Sequence, residues 1–211
     1  GVDLCKIFYD IAHRHRCALI SVFFPEFLSL EELTKDPNGL MLFSYYLIEC
    51  IKTNHVDVLT LFLDIGLDVN CGLYILSSQR KPLLAHACYN GKIDVVNFLI
   101  GKGADVNCED NHGSTPIFDA MFSEDVRVLN ALLENGADIH HRNKNMKNVW
   151  QAVPLGCYRD SLGPNFRRLI EMGVLLDKET VESYVNYPVS FPSSNGLIEI
   201  MREALQRQAC E

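Results

Sequence analysis

The sequence predicts an all-α solenoid, a row of helix-turn-helix units joined by short turns or β-hairpin tips. Three observations carry this prediction. One pattern occurs twice: Val95-Val96-Asn97-Phe98-Leu99-Ile100 leads into Gly103-Ala104-Asp105-Val106-Asn107, and Val128-Leu129-Asn130-Ala131-Leu132-Leu133 leads into Gly136-Ala137-Asp138-Ile139-His140. The two glycines lie 33 residues apart, the length of one turn plus two helices. Within the second copy, Val126, Leu129, Leu132 and Leu133 recur at three- and four-residue spacing, which marks the buried stripe of a helix. Such a helix pair cannot cover its apolar face alone and must stack on neighbours.

The elements follow in chain order. Residues 1–36 hold two apolar segments, Leu4 to Ala12 and Cys17 to Phe24, broken near His13-Arg14-His15-Arg16 and stopped by Pro25. They are expected to form an N-terminal capping pair. Pro37-Asn38-Gly39 reads as a turn. A first unit over 37–70 places one amphipathic stretch at Leu42 to Ile51 and another at Val56 to Leu63, closed by Gly66-Leu67-Asp68-Val69-Asn70.

The second unit, 71–108, is longer than the period because of a surplus in its opening turn, Cys71 to Arg80. Its first helix begins at Lys81-Pro82-Leu83-Leu84 and breaks at Asn90-Gly91. The third unit, 109–141, opens with Thr115-Pro116. Pro116 has a fixed φ and lacks an N–H, which suits a first helical turn, and Thr115 is placed to cap it. Gly136 supplies the left-handed residue that ends the second helix.

A fourth unit, 142–177, is degenerate. Phe166, Leu169 and Ile170 echo the second helix and Gly173 echoes the closing glycine, while Val153-Pro154 and Gly163-Pro164 break the first helix and lengthen the loop. Residues 178–211 are expected to cap the end with helices over 179–187 and 196–208, the last presenting Glu199, Arg202, Glu203 and Arg207 to water.

Composition narrows the function classes. With 48% apolar and 22% charged residues the chain is globular. Nineteen basic against 27 acidic residues give a net charge of −8, which argues against a nucleic-acid partner. The eight cysteines show no disulfide framework and no Cys-x-x-Cys, so they read as reduced thiols. No apolar run long enough to span a membrane and no signal peptide occurs. The expected location is cytoplasmic or nuclear, the expected state in isolation a monomer, and the Gly1 start suggests a processed or excised chain.

Asn111-His112-Gly113-Ser114-Thr115-Pro116-Ile117-Phe118 resembles the Gly-x-Thr-Pro-Leu-His opening of ankyrin repeats, and together with the 33-residue period it marks the chain as similar to that family from Asn38 to Asp177. The resemblance implies a non-enzymatic module without cofactor or metal. It implies a protein or peptide partner bound by turn tips and first-helix faces on a concave groove. Carried over position by position, the tip candidates are Leu73, Tyr74, Arg80, Asp110, Asn111, His112, Arg142, Asn143 and Lys144. The first-helix candidates are His86, Tyr89, Asp119, Phe122 and Gln151. Leu73-Tyr74-Ile75-Leu76 either folds back over a neighbouring unit or stands as a binding patch. Tyr89 and Phe122 face the groove one repeat apart or pack between first helices. The family also implies Asn107, after Asp105-Val106 and eight residues beyond Leu99, as a candidate for asparagine hydroxylation; the alternative is that its side chain stabilises the turn.

Other chemistry finds little footing. Cys5, His13, His15 and Cys17 lack metal-ligand spacing, and His13 and His15 fall on different faces of a helix. Cys157 with His140 or His141 imitates a thiol enzyme only by composition. The expected function is therefore an adaptor or scaffold. The alternatives are a self-associating or intramolecular regulatory module of a larger protein, or a microbial effector that imitates a host adaptor.

Overall fold

A computed structural model describes residues 37–64, 66–75, 79–152, 162–174, 182 and 195–208. The capping pair expected over 1–36 lies outside these residues, as does the helix expected over 179–187 apart from Glu182. The described chain is helical apart from one hairpin. In order it forms α1 (Pro37–Lys52), α2 (Val56–Asp64), β1 (Gly72–Ile75), β2 (Gln79–Pro82), α3 (Leu83–Tyr89), α4 (Ile93–Gly101), α5 (Pro116–Ala120) and α6 (Val126–Glu134). A 3-10 turn (Val149–Ala152), α7 (Gly163–Glu171) and α8 (Asn195–Gln208) complete it.

Two rows of helices run side by side. First helices stack as α1 on α3, α3 on α5 and α5 on the 3-10 turn. Second helices stack as α2 on α4, α4 on α6 and α6 on α7, with α8 against α7 at the end. The second row is set by glycine. Gly66, Gly103, Gly136 and Gly173 take φ of +103°, +90°, +86° and +77°. Each donates its N–H to the carbonyl three residues back, and the residue after it donates to the carbonyl five back from itself, all at 2.9–3.1 Å. This pair of bonds satisfies the open carbonyls at each helix end, and the left-handed φ it requires is cheap only for glycine.

Counting back from these glycines exposes the core. The fourth residue before each is Phe62, Leu99, Leu132 or Leu169; the seventh is Leu59, Val96, Leu129 or Phe166; the eighth is Val58, Val95, Val128 or Asn165. None of the twelve exceeds 1% exposure, so one register holds through all four units.

Asn165 is the exception in kind. It stands where three valines stand before it, and its Nδ2 donates to the Ala120 carbonyl at 3.1 Å and the Ser123 carbonyl at 2.6 Å. The Ala120 carbonyl ends α5, which is only five residues long, and also accepts from the Ser123 N–H at 3.0 Å, while Ser123 lies in the turn beyond, so the Asn165 amide ties the close of that short helix to α7.

Asparagine also links the units at the turns that follow the glycines. The Asn70 Oδ1 accepts from the Asp105 N–H at 2.8 Å. One unit on, the Asn107 Oδ1 accepts from the Asp138 N–H at 2.8 Å, and its Nδ2 donates to the Gly136 carbonyl at 3.1 Å. The turn-stabilising role expected of Asn107 thus becomes a bridge between units, while its backbone N–H is held by the Asp105 carboxylate at 2.9 Å.

Three local expectations are corrected. Pro37-Asn38-Gly39 opens α1 instead of turning the chain, because a proline fits a first helical turn as well as a bend. Thr115 sits in the N-cap position of α5 in an extended conformation but makes no side-chain cap bond, its hydroxyl buried and without a partner. Gly163-Pro164 starts α7 instead of lengthening the loop before it. The outer face expected of the last helix holds: Glu199, Arg202, Glu203 and Arg207 are exposed while Met201 and Ala204 are buried.

Replacing Asn165 with the valine of the preceding units separates space-filling from bonding. Removing the amide takes the Asn165 donor from the Ser123 carbonyl, while the Ala120 carbonyl keeps the Ser123 N–H at 3.0 Å, and lowers the unfolding free energy by about 1 kcal/mol in urea titration; a neutral Asn165→Val shows that only volume matters there. Met146 takes φ +59° with its side chain 68% exposed, so Met146→Gly relieves backbone strain without loss of packing and raises stability by up to about 1 kcal/mol on the same measurement.

Candidate functional site

The tips repeat as faithfully as the helix ends. At one tip the Asp110 carboxylate accepts from the His112 and Ser114 N–H groups at 2.7 and 2.9 Å, with Gly113 left-handed at φ +72°. At the next, 33 residues on, the Asn143 Oδ1 accepts from the Asn145 and Lys147 N–H groups, both at 3.0 Å, with Met146 in the left-handed place. Backbone bonds then tie the tips in series. The Asn111 N–H donates to the Arg80 carbonyl at 3.3 Å and the Lys144 N–H to the His112 carbonyl at 3.0 Å. His141 adds a ring nitrogen 2.7 Å from the Gly113 carbonyl.

The surplus residues of the second unit fold as the β1–β2 hairpin, paired Gly72 to Pro82, Leu73 to Lys81, Tyr74 to Arg80 and Ile75 to Gln79. Leu73 is buried in the common core rather than presented at the tip. The fold-back reading of this apolar tip holds for Leu73, because a hairpin alternates its side chains and one face rests on α1. The side chain of Tyr74 lies outside the description; Arg80, opposite it, is exposed.

On the first-helix face the rings of Tyr89 and Phe122 meet at 5.4 Å with a 45° tilt. Tyr89 remains 51% exposed, which makes it an aromatic open to a ligand as well as a packing residue. Lys81 stands 5.5 Å above the Tyr89 ring and forms an ion pair with Asp119. An open groove of about 270 Å³ follows, lined by Lys81, Asp119, Phe122, Gln151 and, from the tips, His112, Asn143 and Lys147 among others. Six of the sequence candidates, Asp110, His112, Asp119, Phe122, Asn143 and Gln151, therefore share one groove, with Tyr89 at its edge through Phe122.

Two first-helix candidates and one tip candidate are corrected in their exposure. His86 and Asp119 are buried, His86 turned into the core and Asp119 roofed by Lys81. Asn143 is buried by its own tip hydrogen bonds. Asn111, His112, Arg142 and Lys144 are exposed as expected. Gln151 is half-buried and exchanges bonds with Asn148 at 3.2 Å each way. Lys81 and Lys147 were missed. Each flanks a turn in sequence and reads as ordinary surface until the hairpin and the tip carry it over the groove.

Burial, with Lys81 and Lys52 adding, pulls the His86 imidazole down to about 3. Burial pushes the Asp119 carboxyl up to about 6 against the opposing pull of Lys81. Burial likewise raises the thiols of Cys71, to about 12, and of Cys88 and Cys108, so none is a ready nucleophile. Among the described residues no three His, Cys, Asp or Glu side chains converge as metal ligands, and no helix is long and apolar enough to cross a membrane. Cys5, His13, His15, Cys17 and Cys157 lie outside those residues.

Comparison with known proteins agrees with this geometry. An ankyrin-repeat profile matches residues 47–143 in three copies. The 2-5A-dependent ribonuclease of Mus musculus is 44% identical over 63 residues, 29% of this chain and 9% of that protein. The fowlpox virus ankyrin repeat protein FPV219 is 31% identical over 170 residues, covering 67% of this chain and 37% of the relative. An ankyrin repeat protein of Borreliella burgdorferi is 27% identical over 124 residues, 59% of this chain and 51% of its own. The chain thus spans about half or less of the length of these relatives. Residues 47–143 are thus ankyrin repeats, modules that serve protein interaction and are generally non-catalytic.

Acid should destabilise the fold through His86, with Asp119 opposing it. The folded chain declines a proton that the unfolded chain accepts below about 6.5, so this stabilisation is present above that pH and is lost toward pH 3. Asp119 works the other way: folded, it keeps a proton that the unfolded chain releases above 3.8, a contribution lost as pH rises through about 6. The two slopes oppose each other between about pH 4 and 6, so only the excess width of the His86 window remains and the unfolding free energy from urea titration falls by about 1 kcal/mol in all from pH 7 to pH 4. His86→Leu should flatten or reverse that slope, and an unchanged slope removes His86 as its source.

Proposed function

We propose that the repeats over 37–177, capped by 1–36 and 178–211, act as a non-enzymatic adaptor or scaffold that binds a protein or peptide on the groove between first helices and tips. The observation that carries this reading is the Tyr89–Phe122 ring pair, in contact with each other and still half open to solvent through Tyr89. Aromatic side chains that keep a rigid position and an exposed face supply much of the energy of protein interfaces. Hydrogen bonds between successive tips hold the surface in place before a partner arrives, so little ordering entropy opposes binding. The free thiols Cys71, Cys88 and Cys108 support a reducing compartment such as the cytoplasm.

The test is selection of peptides on the full chain from an unbiased display library, each ligand then measured against Tyr89→Ala/Phe122→Ala. Tyr89 is exposed and Phe122 only partly buried against the core, so the double variant should still fold, with a modestly lower melting temperature. Groove ligands should weaken by a factor of at least about 100. Ligands that bind both proteins equally place the recognition surface elsewhere.

A further inference from the structure

We infer that the groove takes an extended acidic peptide segment carrying an aromatic or aliphatic anchor residue. This rests on the adaptor reading above and adds the chemistry of the partner. The protein as a whole is acidic, with a net charge of −8, and its tips depart from that balance. Residues 79–82, 109–113 and 142–147 carry Arg80, Lys81, Arg142, Lys144 and Lys147 against Glu109 and Asp110 alone. The Asp110 carboxylate is already committed to two backbone N–H groups of its own tip, and the His141 ring lies 3.8 Å from Glu109. Asp119 on the groove floor is matched by Lys81. The charge left to face a ligand is positive.

The positive charge is also ordered. Backbone bonds set Arg80 beside Asn111 and His112 beside Lys144, and the Lys144 ammonium donates to the Asn111 carbonyl at 3.0 Å, so the cations follow the stacking direction. Tyr89 and Phe122 run parallel to them, one repeat apart, on the first-helix side. A chain lying along the groove meets a basic row on one edge and an aromatic row on the other. Alternate side chains of an extended segment point to opposite sides, so carboxylates on one side and an apolar anchor on the other satisfy both rows. Basic tips on an otherwise acidic molecule also orient an approaching acidic ligand toward this face and away from the rest of the surface.

The experiment uses the same unbiased selection on the full chain, read for net charge. Ligands lost in Tyr89→Ala/Phe122→Ala should be acidic, should weaken with rising salt, and should lose at least about tenfold in affinity in Lys144→Glu/Lys147→Glu, whose melting temperature stays near that of the parent. Groove ligands with no acidic excess, or acidic ones indifferent to the charge reversal, overturn this inference and leave the adaptor reading standing. Ligands that ignore the aromatic pair end both. A single-stranded oligonucleotide of equal charge serves as a control, and tighter binding of it than of the acidic peptides also overturns the assignment.

Discussion

Every helix pair in this protein has an apolar side that only another pair can cover, and the closing glycine sets where that side falls. Gly66, Gly103, Gly136 and Gly173 each end a helix by the same two hydrogen bonds, so the residues four, seven and eight positions earlier arrive at the same depth in each unit. The core is therefore indexed from the helix ends inward. Loop length can vary without disturbing it, because nothing in the index counts loop residues.

The spacing shows how that freedom is used. Successive closing glycines are 37, 33 and 37 residues apart. The first long interval is taken up by the β1–β2 hairpin, which lays Leu73 into the core and brings Lys81 over the groove. The second contains the 3-10 turn that replaces a regular first helix, and there Trp150 meets Phe166 at 5.6 Å and Asn165 reaches back to the end of α5. In each place a departure from the repeat is matched by a side chain that restores what the regular unit would have supplied.

Much of this was legible in the sequence because glycine and apolar periodicity act locally. A left-handed residue after a run with period 3.6 ends a helix whatever surrounds it, so α2, α4, α6 and the echo at α7 could be found without coordinates. The groove was half legible. Tyr89 and Phe122 lie 33 residues apart and do meet. His86 and Asp119, also 33 apart, lie three residues earlier on those helices and are buried instead. Polarity alone suggested exposure. What allows a carboxylate to sit there is Lys81, 38 residues away and delivered by a hairpin that the sequence showed only as a surplus.

The same arrangement explains why the tips can serve as a recognition surface at all. A turn tip of a few residues has no core of its own and would ordinarily sample many conformations. Here the acceptor side chains of Asp110 and Asn143 close each tip internally, and backbone bonds from Asn111 and Lys144 fix each tip to the one before it. Rigidity in the binding edge thus comes from stacking, as the core does. The cations and rings it carries hold their spacing because the helices behind them cannot change theirs.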